Sequence, residues 1–415
     1  MVEFLKEDDV QYAYEFIKTV CTEIGPGCPC SSQERKRAMK AREEMEKHAD
    51  SVQVEDFTCA PAGYLGWFKI GAACAVAAIL FFYASLNSPD AILHSSIAFG
   101  LAAFILLMLV FEFILPFQFI DFLLPKKTSC NVAGKIGPRS GGQPKRIIIF
   151  SGHHDSALQF TWLQYLKKGY YIAEALLMFG VLILNVLLLI RLVALIASVP
   201  LDWINQLLIV ISYTLLPVIV VLAVFFTGTG KNGGKVPGAS DNLAAVAITL
   251  AIGKIVKRHP ELVPADTEIR LVSFGCEEAG ERGSTAYVKR HLAELRAADT
   301  SVLNFESICR PTMIVFTSDR NGTLKHDKGF IKVIGDAAKA SGAPCLVRPF
   351  YFGGGGTDAL PFSARGIKAT SLFSMKVPDQ MVEFYHQSHD NYDKIPVEAL
   401  SNAIKVALAF LQELD

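Results

Sequence analysis

Residues 146–155 read Arg-Ile-Ile-Ile-Phe-Ser-Gly-His-His-Asp, an apolar run that ends in two histidines and an aspartate. Such a β-branched run is typical of a buried strand in a sheet that is covered on both faces. Sites in open α/β sheets are built at the carboxyl ends of the strands, which is where these polar residues lie. His153 could bind a metal ion while Asp155 accepts the proton of its other ring nitrogen and so fixes the tautomer.

Acidic residues and a late histidine occur at similar places along the rest of the chain. With the first motif, the candidate site residues are, in chain order, His153, Asp155, Asp241, Glu277, Glu278, Glu306 and His386. Asp241 opens an apolar helix predicted at 242–257, where it could equally be an N-cap. Glu277 and Glu278 follow an apolar strand predicted at 268–274. The ordered pattern His-x-Asp, Asp, Glu-Glu, acid, His is typical of a hydrolase with two zinc ions.

Helices and strands alternate in the last part of the chain. Helices are predicted at 242–257 and 396–414, and strands at 268–274, 313–317 and 370–373. Alternation of this kind predicts an α/β fold in which helices cover both faces of the sheet.

Four apolar stretches are long enough to cross a membrane, since a hydrocarbon core of about 30 Å needs roughly 20 helical residues. They lie at 64–86, 91–115, 170–197 and 204–226. Short polar connections join them in pairs, so the sequence predicts four transmembrane helices in two hairpins, at 64–115 and 170–226. The composition agrees with this interpretation, because 51% of the 415 residues are hydrophobic and only 19% are charged.

Charges beside the spans predict the side on which the soluble segments lie. Neither hairpin tip carries Lys or Arg, whereas the soluble sides of the spans carry Lys126, Lys127, Lys167, Lys168, Lys231 and Lys235. Since basic residues near short connections favour the cytoplasm, we expect the soluble segments to face it. The nine cysteines, scattered from Cys21 to Cys345, fit such a reducing compartment.

The soluble segments, 1–59, 128–168 and 228–415, are predicted to form one domain that the hairpins at 64–115 and 170–226 interrupt. The chain carries 40 basic and 40 acidic residues, so no overall electrostatic footprint for nucleic acid is present. We therefore expect a lipid bilayer, and not a nucleic acid, as a partner.

At the candidate site residues the sequence resembles the co-catalytic dizinc aminopeptidase family. This family includes bacterial leucyl aminopeptidases, glutaminyl cyclases and the transferrin-receptor ectodomain. Two further stretches carry the resemblance: Ser-Cys-Asn-Val at 129–132 and Gly-Thr-Asp-Ala-Leu-Pro-Phe at 356–362. The resemblance covers essentially all soluble residues and implies the zinc exopeptidase fold, an α/β fold with a mixed, mostly parallel sheet. The transmembrane hairpins depart from typical members.

The resemblance also implies a cofactor of two Zn²⁺ ions and the residues that bind them. His153, Asp241 and Glu306 would hold one ion. Asp241, Glu278 and His386 would hold the other, so that the Asp241 carboxylate is shared. Many members have Asp where this chain has Glu306, and the longer side chain leaves the spacing of the ions open. The resemblance further implies a cis peptide bond after Asp241.

Two residues would act in catalysis without binding zinc. By the resemblance, Asp155 orients His153, and Glu277 is the general base that takes a proton from a zinc-activated water. The stretch 357–359, Thr-Asp-Ala, lacks the histidine that the family usually has there. Tyr351 could supply a hydroxyl to an oxyanion or could simply pack.

The sequence thus predicts a membrane-embedded zinc peptidase, an aminopeptidase that hydrolyses N-terminal residues from peptides. Glutaminyl-cyclase-like or other amide-processing chemistry is the alternative within the enzymes. An inactive receptor-like homologue and a transporter are the alternatives from other classes. Aminoacylase-type enzymes use the same order of ligands, but the roughly 108 residues between Glu278 and His386 are too few for their inserted lid domain.

Overall fold

The computed structural model describes residues 4–115, 117–229, 233–350, 355–377, 381 and 383–414. These residues form two compact units. The first unit comprises the described parts of Met1–Pro61, Pro125–Gln159 and Gly234–Asp415, and the second comprises those of Ala62–Leu124 and Phe160–Gly233.

The first unit is built around an eight-stranded sheet. Its described strands are β1 Ser51–Cys59, β2 Lys127–Ile136, β3 Arg146–His153, β4 Thr267–Phe274, β5 Asp299–Glu306, β6 Met313–Phe316, β9 Cys345–Arg348 and β10 Lys368–Phe373, while β7 Ser318–Asp319 and β8 Leu324–Lys325 pair separately. The order across the sheet is β1-β2-β4-β3-β5-β10-β6-β9. The four neighbours β4, β3, β5 and β10 run parallel to one another. Strand β2 pairs antiparallel with both β1 and β4, and β6 pairs antiparallel with β10 but parallel with β9. The predicted mixed, mostly parallel sheet is confirmed.

Twelve α-helices lie within the described residues. They are α1 Glu7–Thr19, α2 Ser32–Met45, α3 Gly63–Ser85, α4 Ala91–Met108, α5 Thr161–Leu166, α6 Tyr170–Ile196, α7 Asp202–Val224, α8 Ala244–Arg258, α9 Arg282–Ala297, α10 Lys328–Ser341, α11 Leu360–Ser363 and α12 Val397–Gln412. Helices α3 to α7 belong to the second unit, and the others belong to the first.

Helices cover both faces of the sheet because the side chains of β3 alternate between two cores. Ile148 and Phe150 face the core that contains α1, α8 and α12. Ile147 and Ile149 face the core that contains α9. Helix α8 approaches β3 so closely that a Cβ atom on Gly152 would lie 2.2 Å from Cβ of Ala245. The strand that ends in His153 is therefore held firmly against its covering helix.

Apolar helices dominate the second unit. By length and composition, five helical runs among the described residues could cross a membrane: Gly63–Ser85, Ala91–Ile114, Thr161–Ile196, Asp202–Val224 and Ala239–Arg258. The last contains α8, and 94% of its apolar window is buried inside the first unit, so it is a core helix. The first four all lie in the second unit and overlap the four predicted spans, which end one or two residues later.

Polar side chains join the apolar helices of the second unit to one another. Arg191 in α6 is 2% exposed and donates hydrogen bonds to Ser95 of α4 and Asn205 of α7. Asn185, two turns earlier in α6, donates to the carbonyl oxygen of Ala102 in α4, at 2.9 Å. These groups therefore pair helices, as is usual for polar residues in apolar bundles.

Candidate dimetal active site

The parallel strands bring the candidate residues to one edge of the sheet. His153 is the last residue of β3 and Glu306 the last of β5. Glu277 and Glu278 lie in the loop that directly follows β4. Because β4, β3 and β5 are adjacent and parallel, these four side chains converge although up to 153 residues separate them in sequence.

Asp241 lies between two histidines. Its Oδ1 is 3.4 Å from Nε2 of His153, and its Oδ2 is 3.5 Å from Nε2 of His386. Each of these histidines is also close to a glutamate. Glu306 Oε1 lies 3.7 Å from His153 Nε2, and Glu278 Oε2 lies 3.1 Å from His386 Nε2. The described residues therefore form two three-residue groups that share Asp241, each with its ligand atoms within 4.8 Å of one another.

Asp155 connects the first histidine to the glutamate pair. Its Oδ1 is 3.3 Å from Nδ1 of His153, the ring nitrogen that faces away from Asp241. Its two carboxylate oxygens also accept hydrogen bonds from the backbone N–H groups of Glu277 and Glu278, both at 3.1 Å. One buried carboxylate thus lies against a histidine and accepts hydrogen bonds from the loop that carries both glutamates.

Two residues near Asp241 have positioning contacts that the sequence analysis missed. Asp390 accepts hydrogen bonds from the backbone N–H and hydroxyl of Ser240, at 2.8 and 2.6 Å, and from the N–H of Asp241, at 3.1 Å. Asn242 donates to Oε2 of Glu306, at 3.2 Å, across a cis peptide bond from Asp241. Both residues follow predicted site motifs, but no local pattern distinguishes them from ordinary loop residues.

Asp358 is a further acid at this edge, and it is fully buried. Burial, together with the carboxylate of Glu306, raises its pKa well above the ordinary value. The preceding residue, Thr357, donates through its N–H and its hydroxyl to the two carboxylate oxygens of Asp319, at 3.1 and 2.6 Å. The stretch that lacks the family's histidine is therefore anchored by Thr357. Tyr351 lies outside the described residues, as does Lys231.

The site concentrates negative charge. Six acids, Asp155, Asp241, Glu277, Glu278, Glu306 and Asp358, lie around His153 and His386. Burial and the neighbouring carboxylates of Glu306 and Asp358 raise the pKa of Glu277 well above its ordinary value. Burial alone would lower the pKa of His386, but Glu278 and Asp241 outweigh it and raise that pKa to about 10. Carboxylates packed in this way repel one another unless cations lie between them.

The donor set fits two zinc ions. His153 Nε2 is buried and makes no hydrogen bond to a described residue, although carboxylates of Asp241, Glu277 and Glu306 approach within 3.7 Å. Nitrogen and carboxylate donors of this kind are ordinary zinc ligands, and three per ion leave an open position for a reactant. Two zinc ions bound by these residues would also balance the negative charge of the six acids.

Comparison with known proteins identifies the catalytic unit. Residues 225–411 match the sequence profile of Peptidase family M28. This segment, just under half of the chain, is similar to the M28 peptidases. The aminopeptidase YwaD of Bacillus subtilis (strain 168) is 29% identical to it over 180 residues, which are 43% of this chain and 38% of that protein. The aligned region thus spans well under half of this curated relative.

Solved structures resemble the fold of this chain beyond the matched segment as well. A zinc aminopeptidase from Bacillus subtilis superposes with a TM-score of 0.54 at 16% identity, covering 97% of this chain and 94% of that one. A glutaminyl cyclase from an Acidobacteriales bacterium gives a TM-score of 0.54 at 12% identity, over 98% and 94% of the two chains. The expected relationship to zinc aminopeptidases and glutaminyl cyclases is confirmed at the level of family and fold.

Proposed function

We propose that this chain is a membrane-embedded dizinc aminopeptidase, which hydrolyses N-terminal residues from peptides. The observation that carries the proposal is the Asp241 carboxylate, whose two oxygens face His153 and His386 at 3.4 and 3.5 Å. His153, Asp241 and Glu306 would hold one zinc ion, and Asp241, Glu278 and His386 the other. When bound, the ions supply Lewis acidity toward the scissile carbonyl and lower the pKa of water.

Glu277 is proposed as the general base. Its Oε2 lies 3.5 Å from Nε2 of His153, and it also lies close to Glu278. It therefore borders both ligand groups that share Asp241 without belonging to either of them. A raised pKa suits a carboxylate that first takes the proton of the attacking water and then delivers it to the leaving amine. Asp155 would position both this glutamate and His153, because it contacts the two together.

Glutaminyl-cyclase-like chemistry is a second candidate, because the chain is structurally similar to such a cyclase. The presence of both ligand groups around Asp241 favours hydrolysis, since a paired site stabilises both the attacking oxygen and the developing oxyanion. An inactive receptor-like protein would not need a complete set of ligand residues.

We also propose that the protein is a multi-pass membrane protein whose peptidase domain faces the cytoplasm. Four apolar helical runs of 23, 24, 36 and 23 residues support membrane insertion. The lysines on the soluble side of the spans support the cytoplasmic orientation.

The experiment that tests the activity is a release assay with the purified full chain in detergent. Aminoacyl anilides and short peptides would be supplied with and without an N-terminal acetyl group, before and after chelation and zinc readdition. We expect release that requires a free N-terminus, disappears with the chelator and returns with zinc. Cyclisation of N-terminal glutamine without peptide hydrolysis would instead support the cyclase. No metal in the purified protein would support the receptor-like alternative.

A further inference from the structure

Three cysteines bring their sulfur atoms together outside the dimetal site. Cys30 Sγ lies 3.6 Å from Sγ of Cys59 and 3.4 Å from Sγ of Cys276, and all three sulfurs lie within 4.8 Å of one another. Cys59 and Cys276 are 4% and 0% exposed, and Cys30 is partly buried. The three come from the segment before α2, from the end of β1 and from the loop after β4.

One buried carboxylate holds two of these cysteines in position. Glu34 Oε2 accepts a hydrogen bond from the N–H of Cys30 at 2.7 Å, and its Oε1 accepts one from the N–H of Cys276 at 2.9 Å. Ser129 donates to the same Oε1 at 2.9 Å. The backbone φ angles of Cys30 and Cys276 are +58° and +52°, a region that residues with a Cβ atom adopt uncommonly. The cluster is therefore built by long-range contacts and not by chance proximity along one loop.

The spacing suits a metal bound by three thiolates. A zinc–sulfur bond of about 2.3 Å places tetrahedrally arranged sulfurs about 3.8 Å apart, close to the separations observed here. A disulfide would use only two of the three sulfurs and would need them about 2.05 Å apart. Thiolate ligands select soft cations, chiefly Zn²⁺ and Cu⁺.

We propose that Cys30, Cys59 and Cys276 form a third metal site, which binds one soft cation, Zn²⁺ or Cu⁺, and releases the three thiol protons on binding. The site is separate from the dimetal centre in ligand chemistry, because the dimetal ligands are His, Asp and Glu alone. Cys276 directly precedes the proposed general base, Glu277. The bound cation therefore ties the N-terminal segment and β1 to the loop that carries the base.

Cobalt substitution tests the site by a readout that the dimetal centre cannot give. The metal-stripped full chain in detergent would be titrated with Co²⁺ while the near-ultraviolet spectrum is recorded, since only sulfur ligands give an intense thiolate-to-cobalt charge-transfer band. We expect this band in the natural protein and its loss in Cys30→Ser. Cys28→Ser is the matched control, because Cys28 is also partly buried and lies two residues away outside the cluster, and it should keep the band. Absence of the band, or its survival in Cys30→Ser, would overturn the proposal.

Metal analysis and thiol mapping complete the test without relying on a variant. The protein as purified should contain either a third zinc per chain or one copper beside two zincs, and this distinguishes the two cations. The bound metal should protect Cys30 from alkylation while Cys345 on β9 still reacts. A Cys30–Cys59 or Cys30–Cys276 disulfide in metal-free protein that was purified without oxygen would contradict the metal site.

Discussion

At the scale of single residues, the chemistry proposed for this chain depends on Asp241 and on the groups that hold it. Its two carboxylate oxygens face different histidines, His153 and His386, so each oxygen is available to one of the two ligand groups. Asp390 holds the segment that carries this carboxylate, because it accepts three hydrogen bonds from Ser240 and Asp241. Metal ligands generally rely on such outer contacts for their orientation.

Replacing the proposed base should separate catalysis from metal binding. We expect Glu277→Gln to lower kcat by about 10²–10⁴-fold, because the amide cannot take up a proton, while the zinc content stays the same. The measurement combines steady-state kinetics on an aminoacyl anilide with metal analysis. Glu398→Gln, at an exposed position, is the control. Turnover within a few-fold of the natural protein would rule out Glu277 as the base.

Asp390 should affect metal affinity more than the chemical step. In Asp390→Asn an amide N–H would face the N–H of Asp241, so one hydrogen bond becomes a repulsive contact. We expect zinc to bind about 10–100-fold more weakly, with most of kcat recovered at saturating zinc. Competition with a chromophoric chelator measures the affinity. The exposed Asp393→Asn should leave it unchanged, and an equal affinity in both variants would show that Asp390 does not position the ligand.

At the scale of elements, a buried ion pair joins the N-terminal helix to the core helix that follows the Asp241 loop. Asp9, in the first turn of α1, is fully buried and receives two hydrogen bonds from Arg258 at the end of α8, at 2.9 and 2.6 Å. Lys254 lies 3.1 Å from the same carboxylate. Burial alone would raise the pKa of Asp9, but Arg258, the backbone N–H of Lys6 and Lys254 together outweigh it and lower the pKa from 3.8 to about 2.

The lowered pKa of Asp9 predicts a pH-dependent contribution to stability. Because the folded-state pKa lies below the unfolded value, the contribution, about 2 kcal/mol, is present above pH 4 and is lost as the pH falls toward 2. We expect Asp9→Asn to be less stable at pH 7 and the difference from the natural protein to shrink between pH 4 and pH 2. Urea unfolding in detergent measures it. Asp8→Asn, exposed in the same turn, is the control, and a difference independent of pH would refute the ion-pair explanation.

At the scale of the whole molecule, the proposed orientation places the peptidase unit and the hairpin tips on opposite sides of the bilayer. A membrane-impermeant maleimide should therefore label Asn87→Cys, at the first tip, in intact cells. Lys145→Cys, whose parent side chain is 83% exposed in the peptidase unit, should be labelled only after permeabilisation. The natural protein, which has nine cysteines of its own, is the control, and it should stay unlabelled in intact cells. Labelling of Lys145→Cys in intact cells would reverse the orientation.

The sequence alone determined the class of fold, the apolar helical runs and the types of residue at the strand ends. The alternation of helices with strands and the length of the apolar runs are properties of the local sequence. Residues 147–150, for example, predict a buried strand whichever strands lie beside it. The tertiary structure decided which polar groups meet. Asp390 reaches Asp241 across 149 residues, and Cys276 reaches Cys30 across 246, and no local pattern marks such partners. The meeting of His153, Glu278 and Glu306 likewise depends on the order of the strands across the sheet, because β3, β4 and β5 run parallel and their carboxyl ends lie at the same edge.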